Sequence, residues 1–100
     1  MKSDVIYTNQ TIRIKARIRD IDGALTNPQS IEFELEKPGE ASYSAFTTLS
    51  TPAIVNESTG IYYIDLDVDM IGKWKYSWFT YGNVTSSWKG FFQVEDARYV

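Results

Sequence analysis

The sequence predicts an all-β fold, a sandwich or a small barrel, and three observations predict it. Apolar and polar residues alternate with period 2 in several separate runs, which is the pattern of half-buried strands. Turn formers such as "DIDGALTNPQ", Pro38-Gly39 and "YGNVT" divide those runs at short intervals. No stretch of helical period is long enough to compete. One hundred residues suffice for one core, so a single domain over 1–100 is expected.

The elements follow in order. Asp4 to Thr8 reads as a first edge strand. In "TIRIKARIRD", residues 11–20, Ile12, Ile14, Ala16 and Ile18 share one face and Arg13, Lys15, Arg17 and Arg19 the other, as an antiparallel strand with one wet face requires. "SIEFELEKPG" repeats the device with Ile31, Phe33 and Leu35 against Glu32, Glu34 and Glu36, until Pro38-Gly39 stops it. Weaker strands cover about Ser42 to Thr48 and Ala53 to Asn56, the second ended by "ESTG". "IYYIDLDVDM" sets Tyr62, Ile64, Leu66 and Val68 against Tyr63, Asp65, Asp67 and Asp69. After Gly72, "KWKYSWFTY" turns Trp74, Tyr76 and Trp78 inward; "YGNVT" is a hairpin turn, and "SSWKGFFQVE" returns with Trp88, Gly90, Phe92 and Val94 inward. Seven or eight short strands result.

The chain has no cysteine and no histidine, which removes disulfides, thiolate nucleophiles, Cys/His zinc sites and imidazole acid–base chemistry together. The net charge of −3 argues against a dedicated nucleic-acid binder, which would be basic over a whole face. No run approaches the roughly 18 apolar residues of a membrane helix, and "MKSDVIYTNQT" has no secretory pattern, so no membrane partner and no export signal are expected. The Asn9, Asn56 and Asn83 glycosylation patterns then read as chance in a Thr- and Asn-rich chain.

"DIDGAL", "STGIYYIDL", "GKWKYSW" and the closing "FFQV" stand in an order and spacing that resembles an immunoglobulin-like domain of the kind found in bacterial surface proteins and phage virion proteins, over nearly the whole length. The resemblance implies an immunoglobulin-like antiparallel β-sandwich of seven to eight strands without a disulfide. It places Gly72, Trp74 and Tyr76 where such a domain has its Gly-x-Tyr-x-Cys corner, with Trp74 replacing the tyrosine and Tyr76 the cysteine. It also implies a structural role as a capsid decoration or tail accessory protein of a tailed phage, made in the host cytoplasm. The alternative it implies is a ligand- or carbohydrate-binding module of a bacterial surface protein.

That topology places residues 11–20 beside residues 61–70 in one sheet. The basic stripe then faces the Asp65, Asp67, Asp69 stripe, with Arg17 opposite or diagonal to Asp65 and Lys15 to Asp67. Ion pairs from Asp65 or Asp67 to Lys15 or Arg17 are expected, each contributing roughly 0.2–1 kcal/mol. Glu32, Glu34 and Glu36 should likewise neighbour Lys73 and Lys75 in the other sheet. On this reading the fold consumes the stripe and leaves no grip for phosphates.

Catalysis finds no support. Asp20-x-Asp22-Gly23 lacks the spaced ligands and closing glutamate of a calcium loop and reads as an Asp-Gly turn. Asp65, Asp67 and Asp69 facing cations stay ionised, which leaves no raised-pKa acid for glycoside hydrolysis. No histidine serves the serines and threonines as a base. The expectation is a non-enzymatic module with no cofactor and no metal, acting through its surface on virion capsid or tail proteins or on another copy. Inward Trp74, Tyr76, Trp78 and Phe92 force Phe79, Tyr81 and Phe91 onto the outer face of the last hairpin, where exposed aromatics suit protein association. The competing reading is that a bulge at Gly90 or the chain ends cover them.

Overall fold

The computed structural model describes residues 6–40 and 42–96; Asp4 and Val5 of the expected first strand, and Ala41, lie outside the described residues. Strands β1 (Ile6–Tyr7), β2 (Gln10–Arg17), β3 (Ser30–Glu36), β4 (Ser44–Phe46), β5 (Val55–Ser58), β6 (Ile61–Val68), β7 (Gly72–Tyr81) and β8 (Ser86–Glu95) form two sheets. One runs β1-β8-β7-β3-β4 and the other β2-β6-β5, the arrangement of an immunoglobulin-like sandwich. All pairs are antiparallel except β1, which runs parallel to β8 with Ile6 opposite Val94. The weak strand expected at Ala53 to Asn56 lies two residues later, at Val55–Ser58. A register shift between Asn56 and Ser58 accommodates it, with the Asn56 amide donating to the Ser58 and Ile61 carbonyls at 2.7 and 3.0 Å.

The alternation in the sequence becomes the core directly. Ile14, Ala16 and Ile18 from one sheet, with Tyr62, Ile64, Leu66 and Val68, meet Ile31, Phe33, Leu35, Trp74, Trp78 and Val94 from the other. Trp74, Trp78 and Phe33 are fully buried. Phe33 meets the Trp78 ring edge-on at 4.7 Å between centroids, and Trp74 stacks on Phe92 at 5.6 Å. Trp74 also ties β7 to the loop before it: its indole Nε1 donates to the Met70 carbonyl at 3.0 Å.

The end of the sandwich that holds the 18–27 loop is knitted by backbone bonds around Gly60. The Ile18 N–H donates to the Gly60 carbonyl at 2.8 Å, and the Gly60 N–H donates to Asn27 Oδ1 at 2.7 Å. Asn83 accepts from the Gln29 N–H and donates to the Asn27 carbonyl, so its side chain fastens the β7–β8 turn to the same end. Asp20-x-Asp22-Gly23 is a turn in which Asp20 Oδ1 accepts the Asp22 and Ala24 N–H groups at 2.9 and 3.0 Å.

Candidate interaction surface

The two outer faces of the sandwich treat their charges differently. On the three-stranded sheet, β2 and β6 pair as expected, but the register places Arg13, not Arg17, opposite Asp65. Arg13 grips Asp65 with two hydrogen bonds, Nε to Oδ1 at 2.8 Å and Nη2 to Oδ2 at 3.1 Å, and its guanidinium lies 3.8 Å above the Tyr63 ring. Lys15 stands opposite Tyr63 and reaches Glu57 on β5 at 3.2 Å. Asp67 accepts from the Thr11 hydroxyl at 2.7 Å, and Asp69 lies 3.6 Å from Lys37. Arg17 falls opposite Ile61, while Arg19, beyond the strand, donates to the Gly23 carbonyl. The expected pairs from Asp65 or Asp67 to Lys15 or Arg17 are therefore replaced by Arg13–Asp65 and Lys15–Glu57. Most of the charges on this face are engaged within the chain, with Arg17 the exception among the described residues.

The hydrogen bond from Arg13 is the main reason the Asp65 carboxyl sits below its usual range, against a weaker opposing effect of desolvation. The guanidinium is held correspondingly more firmly in its charged form.

The outer face of the five-stranded sheet closes no ion pair among the described residues. Only Glu36 of the three glutamates stands opposite a lysine, Lys75; Glu34 faces Ser77 and Glu32 faces Phe79. Lys73 lies past the end of β3, opposite Gln93, with its ammonium 4.3 Å over the Phe91 ring. The ion pairs that close among the described residues are Arg13–Asp65, Lys15–Glu57 and Lys37–Asp69, and none involves Glu32, Glu34, Glu36, Lys73, Lys75 or Lys89. The expected second ladder is thus a single register pair that does not close.

The aromatics of this face are on the expected side. Tyr81 is 44% and Phe91 64% exposed, while Phe79 is half-buried. β8 pairs with β7 in unbroken register through Gly90, so no bulge covers them. They do not form one patch: Phe79 lies opposite Ser87 but Phe91 opposite Lys75, four residues along β7, about 13 Å at strand rise. Phe79 and Tyr81 keep company with Glu32, and Phe91 with Lys73 and Lys75.

Beside Phe91 lies a groove of about 310 Å³, walled by Lys73, Lys75, Lys89, Phe91 and Glu36 and floored at Ser77 and Gly90. Across the β7–β3 boundary the sign inverts. Partial desolvation, and then the neighbouring Glu32, hold the Glu34 carboxyl above its usual value. The Tyr81 hydroxyl is raised by desolvation first and then by Glu32 and Glu34. Sequence reasoning missed Lys89 and Ser77, although the alternation of residues 86–95 puts Lys89 outward between Ser87 and Phe91. No family model, curated protein or solved structure matches this chain.

Proposed function

We propose that this chain is a non-enzymatic structural and interaction module, a virion accessory protein of a tailed phage that decorates the capsid or joins the tail, docking through the outer face of its five-stranded sheet. The observation that carries the docking reading is that six charged side chains on that face close no ion pair among the described residues while Tyr81 and Phe91 stand exposed beside them. Aromatics are enriched where proteins associate, and an unpaired charge is available to a partner. The phage setting comes from the family resemblance of the sequence, and the partner is protein rather than nucleic acid or membrane.

One observation favours a second reading as a carbohydrate-binding module of a bacterial surface protein. The groove beside exposed Phe91 offers an aromatic face with hydroxyl and ammonium donors.

The test is Phe79→Ser with Phe91→Ser, expressed alongside the genes that flank its own. The melting temperature should hardly move, and incorporation into particles should be lost. Full incorporation would move the interface to the loops at Asp22–Asn27 and Pro38–Ser42. Reproducible glycan binding that the same double change abolishes would instead establish the second reading.

A further inference from the structure

We infer that the occupant of this face is a second copy of the same chain, related by a two-fold axis along β7 so that Glu34 of each copy meets Lys89 of the other. The inference rests on the proposed docking face and adds the partner. β3 and β8 flank β7 on either side, and one register row reads Glu34, Ser77, Lys89, with the small serine at its centre. Rotation by 180° about β7 exchanges the acidic strand with the strand that carries Lys89. Each copy's Glu34 then lies over its partner's Lys89, and the contact occurs twice, as a two-fold interface requires.

The neighbouring rows contribute unequally. Phe79 lies on the axis and meets its own counterpart, a contact of the kind aromatic pairs favour. Glu36 passes over the partner's Phe91 at the groove that Lys73 and Lys75 also line. On the axis Lys75, and one row further Lys73, meet their own counterparts, like-charge contacts that oppose the dimer and that Glu36, across from Lys75 in register, offsets in part. The three-stranded face offers less, because its Arg13, Lys15 and Asp65 are already engaged and only Arg17 and Asp67 stand outside an ion pair among the described residues.

The three long strands β3, β7 and β8, of seven, ten and ten residues, at about 4.8 Å spacing give a flat footprint of about 400 Å² per copy. That is below the roughly 800 Å² per partner of a standard interface, so a dimer of micromolar affinity is expected.

Sedimentation velocity from about 10 μM to 1 mM protein in about 50 mM salt tests it. Wild-type protein should pass from monomer to dimer over that range, and added salt should move the transition to higher concentration. Glu34→Lys alone sets two lysines against each other, and Lys89→Glu sets two glutamates; each should weaken the dimer roughly tenfold or more. An equimolar mixture of the two variants restores both contacts in a heterodimer, a rescue that misfolded protein could not give. Wild type that stays monomeric throughout, single variants that dimerise like wild type, or a mixture that stays apart would overturn the inference. A monomeric wild type whose incorporation still depends on Phe79 and Phe91 would remove the second copy and keep the docking face. A rescued dimer whose incorporation ignores those residues would do the reverse.

Discussion

Trp74 and Trp78 are both fully buried, yet their indole N–H groups fare differently. Trp74 Nε1 donates to the Met70 carbonyl at 3.0 Å, whereas Trp78 Nε1 is buried with no acceptor among the described residues. Truncating either to alanine would remove a large part of the packing and is expected to cost about 3–5 kcal/mol. Phenylalanine separates the two effects. Trp74→Phe loses ring volume and also strands the Met70 carbonyl. Trp78→Phe loses similar volume but removes a donor that is desolvated without recompense. The Trp74 change should therefore destabilise by about 1 kcal/mol more, read from urea unfolding midpoints. Equal losses would mean that Trp78 finds an acceptor in solution. Alternation in "KWKYSWFTY" foretold that both rings point inward. Which indole is satisfied was not legible, because the acceptor belongs to the loop before β7, and its placement follows from the turn rather than from any periodicity.

At the scale of elements, alternation fixes which face a residue takes but not which residue it meets. A slip of one residue turns the apolar side outward and is forbidden, while a slip of two or four leaves every side chain on its proper face. That is why the pairing of β2 with β6 was legible and its register was not: Arg13 and Arg17 are equivalent by parity, and only Arg13 lands on Asp65. The short strands β4 and β5 were the least legible, since β5 is exposed at every position and so carries no apolar signal. Gly60 is a strong candidate for what locks the β2 register. It adopts φ +75°, and a Cβ there would lie 2.8 Å from the Thr26 nitrogen, 2.9 Å from the Ile18 carbonyl oxygen and 2.9 Å from Leu25 Cβ. The backbone of the 18–27 loop is thereby held directly against the β5–β6 turn. Gly60→Ala should cost about 2–3 kcal/mol through the left-handed backbone and the displaced loop. Gly23→Ala, also at positive φ but with open space around it, should lose less in the same denaturation assay.

Across the whole molecule, the net charge of −3 conceals an asymmetry that composition cannot express. Among the described residues, one outer face closes two ion pairs, Arg13–Asp65 and Lys15–Glu57, and the other closes none. Carboxylate-to-amide changes on the two faces should consequently move stability in opposite directions. Asp65 titrates below its usual value when folded, so its contribution is fully present above the unfolded value of about 3.9 and is lost as pH falls through the folded one. Asp65→Asn should be less stable than wild type at pH 7, with the difference shrinking in acid. Glu34 titrates above its usual value, so the folded state binds that proton more readily than the unfolded chain does. Its linked term favours folding in acid and turns against it as pH rises from the unfolded value of about 4.3 through the folded one. Glu34→Gln should therefore be more stable than wild type at pH 7, and this difference too should shrink in acid. Urea midpoints for the three proteins between about pH 3 and pH 7 decide the matter. Loss of stability by Glu34→Gln at pH 7 would mean that Glu34 serves the fold, and the five-stranded face would then hold no charge at the fold's expense.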